Sequence, residues 1–397
     1  MPFSFMQELA TRFRVDGPLE QLRTCAARGT LVITPTHSSN LDSAVLGWSL
    51  HVSGLPPVTY GAGKNLFANP FIGFFLRNLG AYRVDRRLRH ALYKNVLKRY
   101  CTVLLRRSYH SLFFPGGTRA RSGAIEKKLK LGLLGCALEA FRDRPDHRYY
   151  IVPATINYSI TLEAATLIGD YLAEEGRQRY IIDDDESAQL KPMFWFLRRV
   201  LSMDGALVIR YGCPLDPFGN AVNERGDSTD PSGRVIDPQS FLKGQEDRII
   251  VDPQRDMAYT VELGEQLGRA YRELAVLLPT HLLARVLFDR LSRAERTTDV
   301  YRLLHGLHDD VVPLRVALED IARWQQWLAR PGVPAGAGSV VCRISAQQVV
   351  TDALRAFRGF HVPSVVEREL SGLFVRQLQL LYYYQNRAAH LAGPGVA

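Results

Sequence analysis

The chain has 397 residues, 46% hydrophobic and 23% charged. That is too apolar for a disordered protein, and it excludes a collagen, a coiled coil and a disulfide mini-scaffold. The formal charge of +10 is unevenly spread: residues 77–130 hold fifteen Lys or Arg against only Asp85 and Glu126, and the remainder is slightly acidic. Such a block attracts polyanions, and charge alone does not choose among nucleic acid, anionic lipid and a phosphate-bearing substrate.

In chain order, residues 1–14 read as a short amphipathic helix without the basic start and long apolar core of a signal peptide. An apolar run over 30–35 reads as a strand and stops at Thr36-His37, before a helical stretch over 41–51. The alternation continues with strands near 58–60, 81–84, 110–114, 149–156 and 206–211, and helices near 66–78, 88–107 and 128–142. Short strands alternating with helices predict an α/β fold, a central and mostly parallel sheet flanked by helices. Residues 214–255 are rich in Gly, Pro, Asp and Asn and read as a turn-rich surface excursion. Beyond 256 the spacing is helical, broken at Leu278-Pro279-Thr280 and at a Pro/Gly linker over 331–338. The expected plan is an α/β domain over 1–255 and an all-helical appendage over 256–397.

The five cysteines are scattered and unpaired in spacing, which argues against a disulfide framework or zinc site, predicts no metal, and favours a reducing compartment. No run of 18 apolar residues exists, so no spanning helix is expected. The stretch 67–76 is apolar, too short to span, and abuts the basic block.

Four motifs can carry chemistry. The first, His37-Ser38-Ser39-Asn40-Leu41-Asp42, links a strand to a helix. On such a loop Asp42 can fix the tautomer of His37 and leave its second nitrogen as a general base. The same six residues equally fit a helix-capping Asp42 beside a polar loop histidine. The second motif, Phe114-Pro115-Gly116-Gly117-Thr118-Arg119-Ala120-Arg121, ends a buried strand in a glycine turn followed by two arginines. Glycine amides and paired guanidinium groups suit a phosphate, and a plain turn with solvated arginines is the alternative. In the third, Gly80-Ala81-Tyr82-Arg83, the arginine on a strand either meets an anion or lies on a solvated edge. The fourth, Ile151-Val152-Pro153 through Tyr158, reads as a core strand without a catalytic group.

Together these motifs resemble the glycerolipid acyltransferases, which act on glycerol 3-phosphate or 1-acylglycerol 3-phosphate. That family has ordered H-x4-D, Gly-to-Arg strand, F-P-E-G-T-R and V-P blocks. Here these are His37…Asp42, Gly80…Arg83, Phe114 to Arg119, and Val152-Pro153, over about residues 25–215. A softer likeness to the larger, glycerol-3-phosphate-using members lies in Leu278-Pro279-Thr280-His281 and in Leu381 to Arg387. The resemblance implies that His37 is the base, that Asp42 orients it, and that Arg83, Gly116, Gly117, Thr118, Arg119 and Arg121 bind substrate. It implies no cofactor, only an acyl-CoA or acyl carrier protein as co-substrate. Lys127, Lys128 and Lys130 follow the arginine turn and either meet the anionic part of that donor or form a solvated helix start. The resemblance places the protein peripherally on the cytoplasmic side of an anionic membrane. Acylglycerol phosphate or dihydroxyacetone phosphate are the other acceptors of the class. A departure stands at Gly116, where the family has a Glu associated with the acceptor. A nucleic-acid-binding module would leave His37…Asp42 unexplained, so no nucleic acid is expected. A lipid binder without turnover would be expected to have lost His37 or Asp42.

Overall fold

The computed structural model describes residues 13–175, 207–305 and 311–394, apart from the single positions 69, 86, 89, 127, 245 and 371. The helix expected over 1–14 lies almost wholly outside the described residues, and so does Lys127.

Seven strands form the central sheet: β1 (Phe13–Asp16), β2 (Gly29–Pro35), β3 (Thr59–Gly63), β4 (Ala81–Val84), β5 (Ser111–Leu112), β6 (Arg148–Tyr158) and β7 (Leu207–Tyr211). Their order is β1-β7-β6-β2-β5-β3-β4. Every neighbouring pair is parallel except β6–β7. The run Thr-Leu-Val-Ile-Thr makes β2 a central strand, buried from Thr30 onward, as parallel strands covered on both faces are. The side chains alternate: Leu31 and Ile33 face one core, Val32 the other. β5 is shorter than the strand expected over 110–114. His110 turns its ring to accept the Leu31 amide, and Phe114 already opens the glycine turn.

Among the described residues the first six helices are α1 (Leu19–Arg28), α2 (Asp42–Val52), α3 (Pro70–Asn78), α4 (Ala91–Arg106), α5 (Gly135–Asp143) and α6 (Ala164–Glu175). α1 and α6 were not expected. α1 buries only Leu22 and Cys25, a stripe too narrow to stand out in a polar segment. The excursion over 214–255 holds a small hairpin of β8 (Ala221–Val222) and β9 (Ser228–Thr229). It is tied down where the Phe218 ring meets Phe141 and Tyr259 edge-on and Phe241 at a tilt, and where Asp227 meets Arg148 at 2.6 Å.

The helices that follow are α7 (Pro253–Leu274), α8 (Pro279–Ala294), α9 (Val300–His305), α10 (Leu314–Leu328), α11 (Ala346–Phe360) and α12 (Leu378–Gln385). Their starts are chemical. Asp252 caps α7 through the amides of Gln254 and Arg255, ahead of Pro253, and Ser345 caps α11 through Gln348. The C-terminal region is helical but not entirely so: β10 (Val366–Glu369) and β11 (Gly372–Val375) form an antiparallel hairpin between α11 and α12. Two four-residue strands give too short an alternation to show against helical neighbours.

These helices share their packing with the sheet. α7 buries Leu263, Leu267 and Tyr271 with α5 against the Val32 face. On the other face Leu283, Leu287, Trp324 and Phe357 lie in the same buried cluster as Leu31, Ile33, Val152 and Ile156. Leu287→Ala is therefore expected to cost about 2–5 kcal/mol and to leave unfolding as a single transition. Circular dichroism and tryptophan fluorescence followed in one denaturant titration check this. Two separated transitions would mean that the helices fold independently of the sheet.

Candidate active site

The carboxyl ends of β2, β5 and β6 lie together on one edge of the sheet, where open α/β sheets bind ligands. His37 follows β2, the Phe114–Pro115 turn follows β5, and Tyr158 closes β6.

Asp42 is the first residue of α2 and has no exposed surface. It does not cap that helix. Its carboxylate turns back instead. Oδ2 lies 2.8 Å from His37 Nδ1 and accepts the amides of Ser38 (2.6 Å) and Ser39 (3.0 Å). Oδ1 accepts the Tyr158 hydroxyl at 2.8 Å. An ionised carboxylate only accepts, so His37 carries its proton on Nδ1 and leaves Nε2 with a lone pair. The imidazole also stacks on Phe114, centroids 4.1 Å apart and planes 21° apart. Two contacts fix the main chain beneath it: the His37 N–H donates to Glu126 Oε1 at 2.6 Å, and its carbonyl accepts the Ala120 N–H at 2.8 Å. Burial, and then the neighbouring Asp42 charge, push the Tyr158 hydroxyl far above its ordinary range, so it remains a donor.

The glycine turn lies beside this pair. Gly117 has φ +73°, a conformation that favours glycine, and its N–H closes the turn on the Phe114 carbonyl at 2.9 Å. Thr118 is exposed. Arg119 Nη1 lies 3.4 Å from Glu163 Oε1, and Glu163 also accepts the Asn40 amide (2.9 Å) and the Ser39 hydroxyl (3.0 Å). Arg119 is thus joined to the His37 loop through one shared carboxylate. Arg121 pairs with Glu174 on α6 at 2.5 Å. Lys130 extends its side chain over Gly117, while Lys128 is exposed.

Arg83 is placed apart from this group. β4 is the edge strand, three strand spacings from β2, or roughly 14 Å across the sheet. Arg83 is exposed there, with its guanidinium 5.1 Å from the Phe67 ring centroid.

The structure adds four residues that the motifs did not single out for the site. Tyr158 lies on the strand read as having only core residues. Glu126 and Glu163 hold the His37 loop from outside their neighbours' motifs. Arg387 is buried and donates to the Ile156 carbonyl (2.9 Å) and to Asn157 Oδ1 (2.6 Å). Burial pulls its pKa down, opposed by the charges of Glu126, Tyr383 and Asp42. Around it, Thr280 donates to the Ser159 carbonyl and Asn386 to the Ser122 carbonyl. The two softer C-terminal motifs therefore grip the loops of the site. His281 accepts the Leu278 amide, and burial together with the Arg387 charge lowers its pKa to about 3, so it serves the start of α8 as a neutral ring. Tyr158 was findable from register alone, since β6 runs past the end of β2. Glu126 and Glu163 carry no local pattern, and Arg387 closes a stretch that carries only a soft likeness.

Comparison with known proteins supports a family. Residues 14–157 match the family model described as Acyltransferase. The glycerol-3-phosphate acyltransferase of Pseudomonas putida (strain KT2440) is 27% identical over 283 residues, which is 70% of this chain and 31% of that protein. The glycerol-3-phosphate acyltransferase of Xanthomonas campestris pv. campestris is 30% identical over 200 residues, 50% of this chain and 21% of that protein. A crystal structure of the 1-acyl-sn-glycerophosphate acyltransferase of Thermotoga maritima covers 67% of this chain and 74% of its own, at 15% identity and a TM-score of 0.33, a likeness too low to carry an argument. The chain spans about a third of the length of the Pseudomonas relative. Residues 14–157 therefore carry the likeness to the Acyltransferase model, and the two relatives extend it to glycerol-3-phosphate acyltransferases over half or more of this chain.

Proposed function

We propose that this protein transfers a fatty acyl group from an acyl thioester to a hydroxyl of glycerol 3-phosphate, a step of phospholipid synthesis. The observation that carries the reading is the buried Asp42–His37 pair, with Nε2 of His37 left as a base at the carboxyl ends of the sheet. The names of the relatives support the acceptor.

In this mechanism His37 Nε2 takes the proton of the acceptor hydroxyl as that oxygen attacks the thioester carbonyl. Asp42 stabilises the imidazolium that forms. Collapse of the tetrahedral intermediate expels the thiolate, which recovers the proton from His37. The donor is acyl-CoA or acyl carrier protein, and no cofactor takes part. Gly117 has already committed its N–H to the turn, so it does not serve the oxyanion in this arrangement. Arg119 is the phosphate ligand. An arriving phosphate, with two negative charges and three acceptor oxygens, replaces the single carboxylate of Glu163 as its partner. Arg121 contributes from the same loop once drawn from Glu174. Arg83, at the sheet edge, acts on the approach to the site rather than in it.

The membrane reading has a definite surface. Among the described residues no helix is long and apolar enough to cross a membrane. Leu92, Val96, Tyr100 and Val103 form one exposed stripe along α4, at 76%, 57%, 46% and 42% exposure. Arg99, Arg106 and Arg107 flank it. Phe74 and Leu79 are also exposed, whereas Phe67 of the apolar stretch is buried. An amphipathic helix with this pairing of apolar stripe and cations suits the headgroup region of an anionic bilayer. α4 starts at the sheet edge that carries His37, which brings acyl chains beside the cleft. This face sits peripherally on the cytoplasmic leaflet.

Three measurements test these roles. With acyl-CoA and glycerol 3-phosphate, His37→Ala is expected to lower kcat by about 100- to 10,000-fold while circular dichroism shows a folded protein with a lowered melting temperature; an unchanged rate removes His37 from the mechanism. Arg119→Ala should raise the acceptor KM far more than the donor KM, and equal effects would assign Arg119 to the donor or the fold. Wild type should co-sediment with vesicles containing phosphatidylglycerol and less with pure phosphatidylcholine. The Leu92→Glu/Val96→Glu variant should stay in the supernatant, and its undiminished sedimentation would rule out the α4 face.

A further inference from the structure

The sequence leaves position 116 without a side chain, and the fold puts another residue's side chain there. A Cβ added to Gly116 would lie 3.0 Å from Cγ of Glu126 and 3.2 Å from its Oε1. Gly116, unlike Gly117, is not in the left-handed region. Its main chain therefore accepts any residue, and the Glu126 side chain is what keeps the place for glycine.

Glu126 uses that place for one purpose. Its Oε1 accepts the His37 N–H at 2.6 Å, the short distance of a charge-assisted bond. Its Oε2 is buried and has no hydrogen-bond partner among the described residues. Burial raises the carboxyl's pKa, and the His37 amide and the charge of Arg387 pull it back. A half-satisfied buried carboxylate is a poor source of stability. What it does achieve is to fix the main chain of the residue whose imidazole must meet two substrates.

We infer that Glu126 is the positioning carboxylate of this active site, reaching from the chain segment after the arginine turn into the space that a side chain at position 116 would fill. The inference rests on His37 being the base, as proposed above. It treats 116 and 126 as alternative roots for one carboxylate, so moving the root should preserve the function.

A root-swap series tests this. Glu126→Ala is expected to lower kcat about 100-fold with little change in either KM. Glu126→Gln keeps an acceptor oxygen and should lose less than Glu126→Ala. Gly116→Glu alone crowds two carboxylates into one space and should also be impaired. The double variant Gly116→Glu/Glu126→Ala should regain at least tenfold over Glu126→Ala. A double variant no faster than Glu126→Ala, or a Glu126→Ala enzyme as fast as wild type, overturns the inference. A second readout does not need turnover. In protein labelled with 15N-histidine, the His37 amide proton should move upfield in Glu126→Ala and return in the double variant. An unmoved amide also overturns the inference. Wild type that transfers no acyl group to glycerol 3-phosphate would count against the proposed function, and the amide would still decide the question of Glu126.

Discussion

One buried carboxylate organises the functional end of this sheet. Asp42 has no exposed surface, and a lone charge there would be costly. Four donors reach it: an imidazole, two consecutive amides and a phenol. Those donors come from the loop after β2 and the end of β6, while the acceptor begins α2. Satisfying one charge therefore locks a loop, a helix and a strand into one arrangement. The tautomer of His37 follows from the same demand, because a carboxylate this deep must be met by an N–H. Burial, and then that charge, hold Tyr158 in its protonated form, so it stays a donor to Asp42.

Around this centre the charges are balanced by distant parts of the chain. Arg387 brings a buried guanidinium to a region that holds Asp42 and Glu126. Its own hydrogen bonds run to the main chain and side chain of β6 rather than to either acid. It thus offsets negative charge without competing for the oxygens that orient His37. Glu163 plays the complementary part, joining Arg119 to Ser39 and Asn40 through one carboxylate. The helices beyond residue 256, which read as an appendage, form one wall of the site and share its core.

The alternation of short apolar strands with helices was enough to read the α/β sheet, because strand burial is written into runs such as Thr30 to Thr34. The His37…Asp42 spacing was legible as a possible pair, and the choice between cap and partner depended on which amides the carboxylate met. Arg83 shows the converse: its motif matched, yet β4 lies at the edge and the side chain is exposed. Tyr158, Glu126, Glu163 and Arg387 were not read as site residues because each matters through a contact with a segment remote in sequence. The β10–β11 hairpin was missed for a different reason, since its strands are shorter than the window in which a period can be recognised.

The bonds from Arg387 to Ile156 and Asn157 bridge residues 231 and 230 positions apart. During synthesis the sheet and the His37 loop are complete long before residue 387 leaves the ribosome. For that interval the carboxylates of Asp42 and Glu126 lack their guanidinium, and the Leu31–Ile33 face lacks the helices that cover it. The nascent chain consequently carries an exposed apolar sheet face and an unbalanced acidic centre until its later segments arrive. Loops closed over so many residues form slowly, and an apolar face left open in that interval favours aggregation and proteolysis.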